Sequence, residues 1–290
     1  MEIIYLCGRL IFSLASNVYQ KKLSHHGLHP FYIVATTYFV LSLIAVSFLG
    51  TIQLNDLTSS FWLNVTLASL FDVAGWMFLV LSLSKTDFSV FGPLNAYKVV
   101  VSMLLSMLFL NEIPSTQGFL GVLIIVIGSF FLMPPSPTRQ APSLIYLFLD
   151  KGVQARFLSI LLFSIGTVFL KNAVITGGAF ETMIFWSLIG LPFALVSNYF
   201  FLPHSMQTEL SATRQHINRI VFIGVMVFLM QYFTLLLLAN MLVVYALALF
   251  QLSMVMQVLI GYQVFKEQHI RRKLLASIVM MLGSMLVLAA

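Results

Sequence analysis

The sequence predicts an all-α membrane protein whose ten transmembrane helices form two inverted five-helix repeats. The 290 residues are 60% hydrophobic and 8% charged, whereas roughly a quarter of residues are charged in soluble domains. Apolar stretches of about 20 residues, enough to cross a hydrocarbon core of about 30 Å, recur along the whole chain. The two halves of the chain also share matching residues at matching places. These three observations decide the fold class.

Apolar runs and the polar breaks between them define the helices in order. Long runs such as Leu120–Met133 and Ala155–Leu170 lack the polar face that a helix of a soluble protein presents to water. The first run has no basic segment before it and no small-residue cleavage site, so we expect a retained helix rather than a signal peptide. The predicted helices span 3–21, 30–50, 60–82, 90–110, 116–133, 156–172, 179–202, 218–239, 241–264 and 272–289.

A linker at 134–155 divides the chain into a first repeat, 1–133, and a second repeat, 156–290. Its start contains four prolines, which cannot continue a helix: Pro134, Pro135, Pro137 and Pro142. A shift of 155 positions places Glu112 on Glu267, and it places Gly128-Ser129 on Gly283-Ser284. At a slightly different offset, Val18-Tyr19-Gln20-Lys21 matches Val168-Phe169-Leu170-Lys171. An odd number of helices per half makes the second repeat enter the membrane from the opposite side.

The basic residues predict an orientation in the membrane. Loops after even-numbered helices carry essentially no Lys or Arg apart from Lys171, so the positive-inside rule puts the odd loops in the cytoplasm and both termini outside. We expect a multi-pass protein of the cell (inner) membrane. The basic residues assigned to the odd loops are Lys21, Lys22, Lys85, Arg139, Lys151, Arg156, Arg214, Arg219, Lys266, Arg271, Arg272 and Lys273.

The same charges and the cysteine count exclude other classes. The net charge of +6 is spread over many connections, which argues against a nucleic-acid partner. The single Cys7 excludes an internal disulfide. His25, His26 and His29 have no ligand partners at a recognisable metal-binding spacing, so we expect neither a metal nor a cofactor.

Polar residues inside the predicted helices are the candidate binding residues, because an ionisable side chain within a bundle usually marks a pathway. Lys98 lies deep in helix four, and one helical face carries it together with Asn95, Ser102 and Ser106. The repeat places this face on Ser253, Gln257 and Gly261 of helix nine. Helix one has a similar face with Arg9, Ser13, Ser16, Asn17 and Gln20, and helix six has one with Ser164, Thr167 and Lys171.

Helix three contributes an acid and an aromatic residue. Asp72 and Trp76 are one turn apart, and Trp76 falls on Gln231 under the repeat. Asp72 could neutralise Lys98 or Arg9, or it could carry a proton. An aromatic cage is a further hypothesis, built from Trp76, Tyr97, Trp186, Tyr232 and Tyr245.

Each candidate also has a structural interpretation. Arg9, Lys21 and Lys171 could extend toward a helix end and reach the membrane surface, and Lys98 could form an ion pair with Asp72. Glu112 and Glu267 are expected to cap helices or anchor loops. Three glycines are expected to let helices approach closely: Gly118, Gly121 and Gly128.

The motif residues resemble the drug/metabolite transporter superfamily, of the EamA-like ten-helix type. They are Gly75-Trp76-Met77, Pro93, Asn111-Glu112, Gln117-Gly118 and Gly128, with a weaker second copy at Lys266-Glu267 and Gly283. The chain departs from the pattern because helix nine lacks a proline equivalent to Pro93. The resemblance implies solute export or exchange through a central cavity between the halves, without ATP. The absence of a GxxxxGK[ST] phosphate loop independently argues against an ATP-driven pump.

The predicted function is secondary transport of a small organic anion or zwitterion, such as an amino acid or a phosphorylated metabolite, by alternating access. A cationic-drug exporter built on Asp72 and a flippase for a lipid-linked substrate are the alternatives. An enzyme is not expected, because Asp72 and Glu181 lie on separate helices without a matching His. The predicted partners are a small solute, a proton and the lipid bilayer. The predicted binding residues are Lys98, Asn95, Arg9, Asn17, Asp72, Trp76, Tyr97, Lys171, Gln231 and Gln257.

Overall fold

The computed structural model describes residues 2–54, 57–101, 104, 115–132, 148–201, 206–240, 246 and 249–289. Across these ranges the protein is helical and contains no strand, which confirms the expected class. Short 3₁₀ turns occur at Leu49–Thr51, Pro93–Ala96 and Phe130–Leu132. The α-helices are α1 (Glu2–His25), α2 (Pro30–Val46), α3 (Ser59–Lys85), α4 (Phe88–Phe91), α5 (Thr116–Ser129), α6 (Lys151–Gly177), α7 (Ala179–Phe201), α8 (Met206–Asn240), α9 (Ser253–Phe265) and α10 (Ile270–Leu288).

Several of these helices suit a bilayer. Within the described ranges, four segments are long and apolar enough to span one: Ser59–Lys85, Lys151–Gly177, Ala179–Phe201 and Thr213–Asn240. Shorter apolar helices occupy Pro30–Val46, Thr116–Leu132 and Ser253–Phe265. Large apolar side chains such as Leu63, Ile175 and Val196 are exposed on the long helices. Such surfaces suit contact with lipid acyl chains. The side chains that they present are apolar, and a helix bonds its backbone N–H and C=O groups internally.

The structure interrupts the predicted fourth helix. The sequence predicts one continuous helix over 90–110, but α4 ends at Phe91, a 3₁₀ turn follows at Pro93–Ala96, and helix resumes over 97–101. Pro93 has no backbone N–H, so the Ser89 carbonyl loses its helical donor. Residues 102–103 and 105–114 lie outside the described ranges, as do Tyr245 and residues 133–147 of the linker region.

Most of the basic residues assigned to loops lie within the observed helices, and Lys21 and Arg156 are two that are also buried. Helix α1 extends to His25, which makes Lys21 a buried helical residue. Helix α6 begins at Lys151 rather than 156, because the Asp150 carboxylate accepts a hydrogen bond from the Val153 N–H at 2.9 Å and caps the helix. Arg156 is therefore a buried helical residue as well. The loop assignment of these two cations is wrong, and the orientation now depends on the remaining basic residues.

The chain folds into two compact units. Unit 1 comprises Met1–Ser84 and Ile165–Val243, and unit 2 comprises Lys85–Ser164 and Val244–Ala290. Each unit therefore takes helices from both predicted repeats. The division into repeats at 1–133 and 156–290 stays a prediction about sequence ancestry and symmetry.

Unit 1 is built from antiparallel helix pairs. Tyr19, late in α1, packs on Phe222, early in α8, at a ring distance of 4.7 Å. Helices α3 and α6 pair in the same manner, with Phe71 and Phe169 stacked at 5.9 Å. Helices α2 and α7 are joined by a hydrogen bond of 3.0 Å from the Ser42 hydroxyl to the Ser187 carbonyl.

Unit 2 packs α5 closely against α10. A Cβ on Gly121 would lie 2.7 Å from the Gly283 carbonyl oxygen, so only glycine permits this approach. A Cβ on Gly128 would lie 2.6 Å from the Met280 Cγ. The expected role of Gly121 and Gly128 in close helix packing is confirmed.

The turn between α9 and α10 holds the start of α4. The Glu267 carboxylate accepts hydrogen bonds from the backbone N–H groups of Phe88 at 2.6 Å and Ser89 at 2.9 Å. Lys273 forms an ion pair of 2.7 Å with Asp87 beside it. The predicted capping role of Glu267 is therefore confirmed, and Glu112 lies outside the described residues.

Candidate functional site

The interruption after α4 is the centre of the polar structure in unit 2. Gly92 and Pro93 separate α4 from the following 3₁₀ turn, and the Asn95 side chain projects from that turn. The Gln257 side chain of α9 lies against the break, since a Cβ on Gly92 would come within 2.6 Å of both the Gln257 Cβ and Oε1 atoms. A side chain at position 92 would thus displace Gln257 from the break.

Arg156 of α6 completes a group that we call the arginine cluster, formed by Arg156, Asn95, Phe91 and Ser159. The guanidinium is 5% exposed, and its Nη2 donates to the Asn95 Oδ1. Its Nη1 donates to the Ser159 hydroxyl at 3.3 Å, and its carbon lies 4.2 Å from the centre of the Phe91 ring. Among the described residues, no carboxylate pairs with this guanidinium and its Nε has no acceptor.

Three other predicted binding residues lie in unit 2. Gln257 is 2% exposed, and its Oε1 has no donor within the described part of the chain. Tyr97 is buried, bonds the Ser129 hydroxyl at 3.1 Å and packs edge-on against Phe157 at 4.8 Å. Lys98 is partly buried one turn after Leu94. Tyr97 therefore has a packing role here, and Gln257 keeps an unused amide oxygen beside the break.

The remaining predicted residues lie in unit 1. Asn17 of α1 and Gln231 of α8 are buried, and Arg9 is partly buried. The Lys171 ammonium of α6 donates a hydrogen bond to the Leu238 carbonyl of α8. This contact joins the two helices and has a structural role. The α1 face carrying Ser13, Ser16, Asn17 and Gln20 is buried along its length. The predicted inward polar face of α1 is confirmed.

Asp72 and Trp76 belong to a second group, the tryptophan cluster, formed by Asp72, Trp76, Trp186 and Tyr38. The Trp186 indole N–H donates to the Asp72 Oδ2 at 2.9 Å. The Trp76 ring lies 5.9 Å from Trp186 and 5.8 Å from Tyr38, and all four side chains are buried. Of the predicted aromatic cage, the unit 1 members Trp76 and Trp186 come together, and Tyr245 lies outside the described residues. Tyr232 packs instead on Phe180 at 6.4 Å, and Tyr97 belongs to unit 2.

A cavity of about 450 Å³ lies beside the turn that holds α4. Its lining is of mixed charge, with Lys266 and His269 beside Glu267 and the ion-paired Asp87 and Lys273. Lys266 and His269 both adopt left-handed backbone conformations, with φ of 56° and 61°. None of the predicted binding residues lines this cavity.

Comparison with known proteins identifies the first half of the chain. The EamA-like transporter family matches residues 1–133. These residues are an EamA-like transporter sequence. The predicted resemblance to the drug/metabolite transporter superfamily is thereby confirmed over these residues, and together with the apolar helices it indicates a multi-pass membrane protein. No functionally curated protein matches the chain.

A solved structure shares the fold of this protein. A chain described as "Crystal structure of protein" has a TM-score of 0.62 and covers 98% of this chain and 95% of its own length, at 13% sequence identity. Identity at this level carries a shared fold and no shared substrate. The fold of this chain therefore has a solved counterpart over nearly its whole length.

The family match contains part of the candidate site only. Asn95 and Phe91 fall within 1–133, whereas Arg156, Ser159 and Gln257 lie beyond it. Arg156 was missed because a proline-rich connection precedes it. The signal that could have found it is Asp150, an N-cap residue directly before the apolar run, which puts Arg156 inside the helix. No sequence feature comparable to Asp150 indicates that Tyr38 belongs to the tryptophan cluster, because α2 is apolar around it.

Proposed function

We propose that this protein is a secondary transporter of a small organic anion or zwitterion, and that the arginine cluster provides the main contact to the negative group. The observation that carries the proposal is the buried Arg156 guanidinium, whose partners among the described residues are all neutral: Asn95, Ser159 and Phe91. A buried charge without a counter-ion is costly in a protein interior. A carboxylate or phosphate from the solute supplies that counter-ion with charge-assisted hydrogen bonds.

The interrupted helix supports the location of the binding site. Transporters commonly place solutes where a membrane helix is discontinuous, because unpaired backbone groups at the break can bind polar ligands. Here the break at Gly92-Pro93 is bordered by Asn95, Arg156 and Gln257. Lys98, one turn further on, adds a second cation to this part of unit 2. The two cations favour an anionic group over a cationic one.

The pairing of helices supports the two inverted repeats. An exchange of the halves converts the α1–α8 pair into α6–α3, and it leaves the α2–α7, α4–α9 and α5–α10 pairs unchanged. Phe169 follows Tyr19 by 150 positions, and Phe222 follows Phe71 by 151. Both contacts join one repeat to the other, and an exchange of the repeats converts the Tyr19–Phe222 contact into the Phe169–Phe71 contact. Alternating access by a rocking motion of the repeats follows from such symmetry.

Transport would be driven by a gradient of protons or of an exchanged solute. No phosphate-binding loop of the ATPase type occurs in the sequence. Proton coupling predicts that uptake into reconstituted vesicles responds to an imposed pH gradient. Uptake that ignores the gradient would leave solute exchange as the driving force.

The tryptophan cluster favours a second candidate, export of an organic cation. A carboxylate among aromatic rings is the arrangement that binds ammonium groups, and Asp72 lies among Trp76, Trp186 and Tyr38. We rank this candidate second because the Trp186 indole already donates to Asp72. A cation would have to displace that hydrogen bond.

Thermal stabilisation of the detergent-purified protein tests the two candidates together. The probes are lactate and glycerol 3-phosphate as anions, phenylalanine as a zwitterion, and choline as a cation. We expect an anion or the zwitterion to raise the melting temperature of the native protein. Arg156→Gln should abolish that shift, and Lys98→Ala should reduce it.

Arg271→Gln is the matched control, since it removes an exposed arginine at the start of α10 and should leave every shift intact. Stabilisation by choline alone, lost in Asp72→Asn and kept in Arg156→Gln, would reject the anion proposal in favour of the cation exporter.

A further inference from the structure

Glu267 caps α4 in place of the helix's own N-cap residue. Asp87 occupies the N-cap position, but within the described chain its side chain makes no capping hydrogen bond and is paired with Lys273 instead. The Glu267 carboxylate accepts from the backbone N–H groups of Phe88 and Ser89, and also from the Ser89 hydroxyl. A helix of one turn is not stable alone, so α4 depends on a carboxylate from the turn after α9.

The backbone of this turn fixes where the Glu267 carboxylate lies. The Glu267 N–H donates to the Gly261 carbonyl at 3.2 Å, and Lys266 directly before it has a left-handed backbone that reverses the chain. A Cβ on Gly261 would lie 2.7 Å from the Glu267 Oε2 and 2.9 Å from the Ser89 nitrogen. Glycine at position 261 therefore lets α9, the carboxylate and the start of α4 meet at one place.

The segment that Glu267 holds also carries two partners of Arg156. Phe91 is the last residue of α4, two positions after Ser89, and its ring centre lies 4.2 Å from the Arg156 guanidinium carbon. Asn95 lies in the 3₁₀ turn that follows and accepts from the Arg156 Nη2. All of these residues belong to unit 2. A shift at the start of α4 therefore reaches Phe91 within the same helical turn, and Asn95 through the next one.

The capping hydrogen bonds depend on the charge of Glu267. An ionised carboxylate only accepts hydrogen bonds, whereas a protonated carboxyl also carries an O–H donor, which cannot bond to backbone N–H groups. The side chain is partly exposed and lines the cavity of about 450 Å³, so a proton can reach it without an opening of the helix bundle. The other titratable or charged groups that line this cavity are Asp87, Lys266, His269 and Lys273.

We propose that Glu267 is a positioning residue for anion binding at the arginine cluster, and that its protonation releases α4 and weakens that binding. The inference rests on the proposed transport function and gives the proton a place of action within unit 2. Linkage makes the effect reciprocal: an anion bound at the arginine cluster favours the ionised form of Glu267. A proton and the solute therefore oppose each other's binding, although they occupy different places in the unit.

The affinity of the purified protein for lactate, glycerol 3-phosphate and phenylalanine, measured by ligand-dependent melting from about pH 7 to about pH 4, tests the proposal. For whichever probe binds, the native affinity should fall with the pH beyond any change caused by titration of the probe itself. Glu267→Gln has the neutral charge of the protonated state. It should bind about tenfold more weakly near neutral pH, because charge-assisted hydrogen bonds are lost. Its affinity should follow the pH only as far as the probe titrates.

His269→Asn is the matched control, because it removes a second titratable side chain of the turn, and asparagine tolerates the left-handed backbone at this position. Its pH dependence should equal that of the native protein. Ser89→Ala removes one donor to Glu267 and leaves the carboxylate charged, so it should lower the affinity about threefold and keep the pH dependence. Ser89→Ala carries the test if Glu267→Gln does not fold.

Native-like affinity of Glu267→Gln near neutral pH, or a pH dependence equal to the native one, would overturn the proposal, as would unchanged affinity in Ser89→Ala. Loss of the pH dependence in His269→Asn would assign the effect to the histidine and overturn it as well. If none of the three probes binds the native protein at any pH, the anion proposal itself fails and the positioning role fails with it. Anion binding that is indifferent to Glu267 refutes the positioning role alone.

Discussion

The arginine cluster and the tryptophan cluster each bury one charged side chain, and they compensate it differently. In the tryptophan cluster, the Trp186 indole N–H points at the Asp72 carboxylate, which is the donor that a carboxylate needs. In the arginine cluster, the guanidinium is surrounded by a carboxamide, a hydroxyl and an aromatic ring, all of them neutral. The partners named in both clusters are neutral, but the Arg156 Nε has no acceptor among the described residues, whereas neither Asp72 oxygen is left without a donor there. The arginine cluster leaves a positive charge available to an anion.

The comparison teaches that burial alone does not mark a binding residue. Asp72 and Arg156 are equally buried, and both would be flagged by their charge within a helix bundle. Their partners separate them, because the Arg156 Nε still lacks an acceptor among the described residues. The predictions below test this separation, beginning with the largest expected effect.

Replacement of Arg156 should have the largest effect on transport. Arg156→Gln removes the charge, and we expect a loss of at least about a hundredfold in transport of the anion, the scale expected when a charged hydrogen-bonding partner is lost. Arg156→Lys keeps the charge but loses the planar fork, so about a tenfold loss is expected. Uptake into proteoliposomes measures both. Equal activity of the two variants would show that the charge kept by lysine contributes nothing, which would contradict Arg156 as the anion contact.

Replacement of Trp186 should have the largest effect on stability within the tryptophan cluster. Trp186→Phe keeps an aromatic ring but removes the N–H that Asp72 accepts, which should lower the free energy of unfolding by about 2 kcal/mol. Thermal melting in detergent measures the loss. Trp62→Phe is the control, since Trp62 is on the surface. If both variants melt alike, the hydrogen bond to Asp72 contributes little and the contrast between the clusters weakens.

Asn95→Ala tests the arginine cluster through a neutral partner of Arg156. The variant removes one neutral acceptor from Arg156, so the ligand-free protein should lose about 1–2 kcal/mol of stability. A bound anion should restore part of this loss, and the ligand-induced rise in melting temperature should be larger than in the native protein. Asn64→Ala, which removes an amide bonded within its own helix to Ser60, should not change the ligand-induced rise. A rise no larger than native would contradict Arg156 as the anion contact.

Tyr38→Phe should have the smallest effect. The Tyr38 hydroxyl is fully buried and has no partner in the described part of the chain, so its removal should leave stability unchanged or raise it by up to about 1 kcal/mol. Transport should not change. Tyr32→Phe offers the contrast, because the Tyr32 hydroxyl accepts from Thr213 at 2.9 Å and its loss should slightly destabilise. Reduced transport in Tyr38→Phe would instead indicate that the tryptophan cluster binds the solute.

The sequence by itself determined the membrane environment, the helical class and the resemblance of residues 1–133 to the EamA-like family. These follow from composition and from the lengths of apolar runs, because a bilayer imposes helices of a given length whatever their partners are. It also determined local features, such as the close packing at Gly121 and the capping role of Glu267. Each of these depends on a few neighbouring positions or on a pattern repeated in both halves.

Only the tertiary structure decided which polar residues meet. The sequence placed Asn95 on a continuous helix and Arg156 in a loop, whereas the break at Pro93 and the cap at Asp150 bring them into one hydrogen bond. Asp72 accepts a hydrogen bond from the Trp186 indole, a partner that the sequence did not predict. Which residues of two helices become neighbours depends on how the helices are aligned along each other. The hydropathy of an apolar run does not predict that alignment.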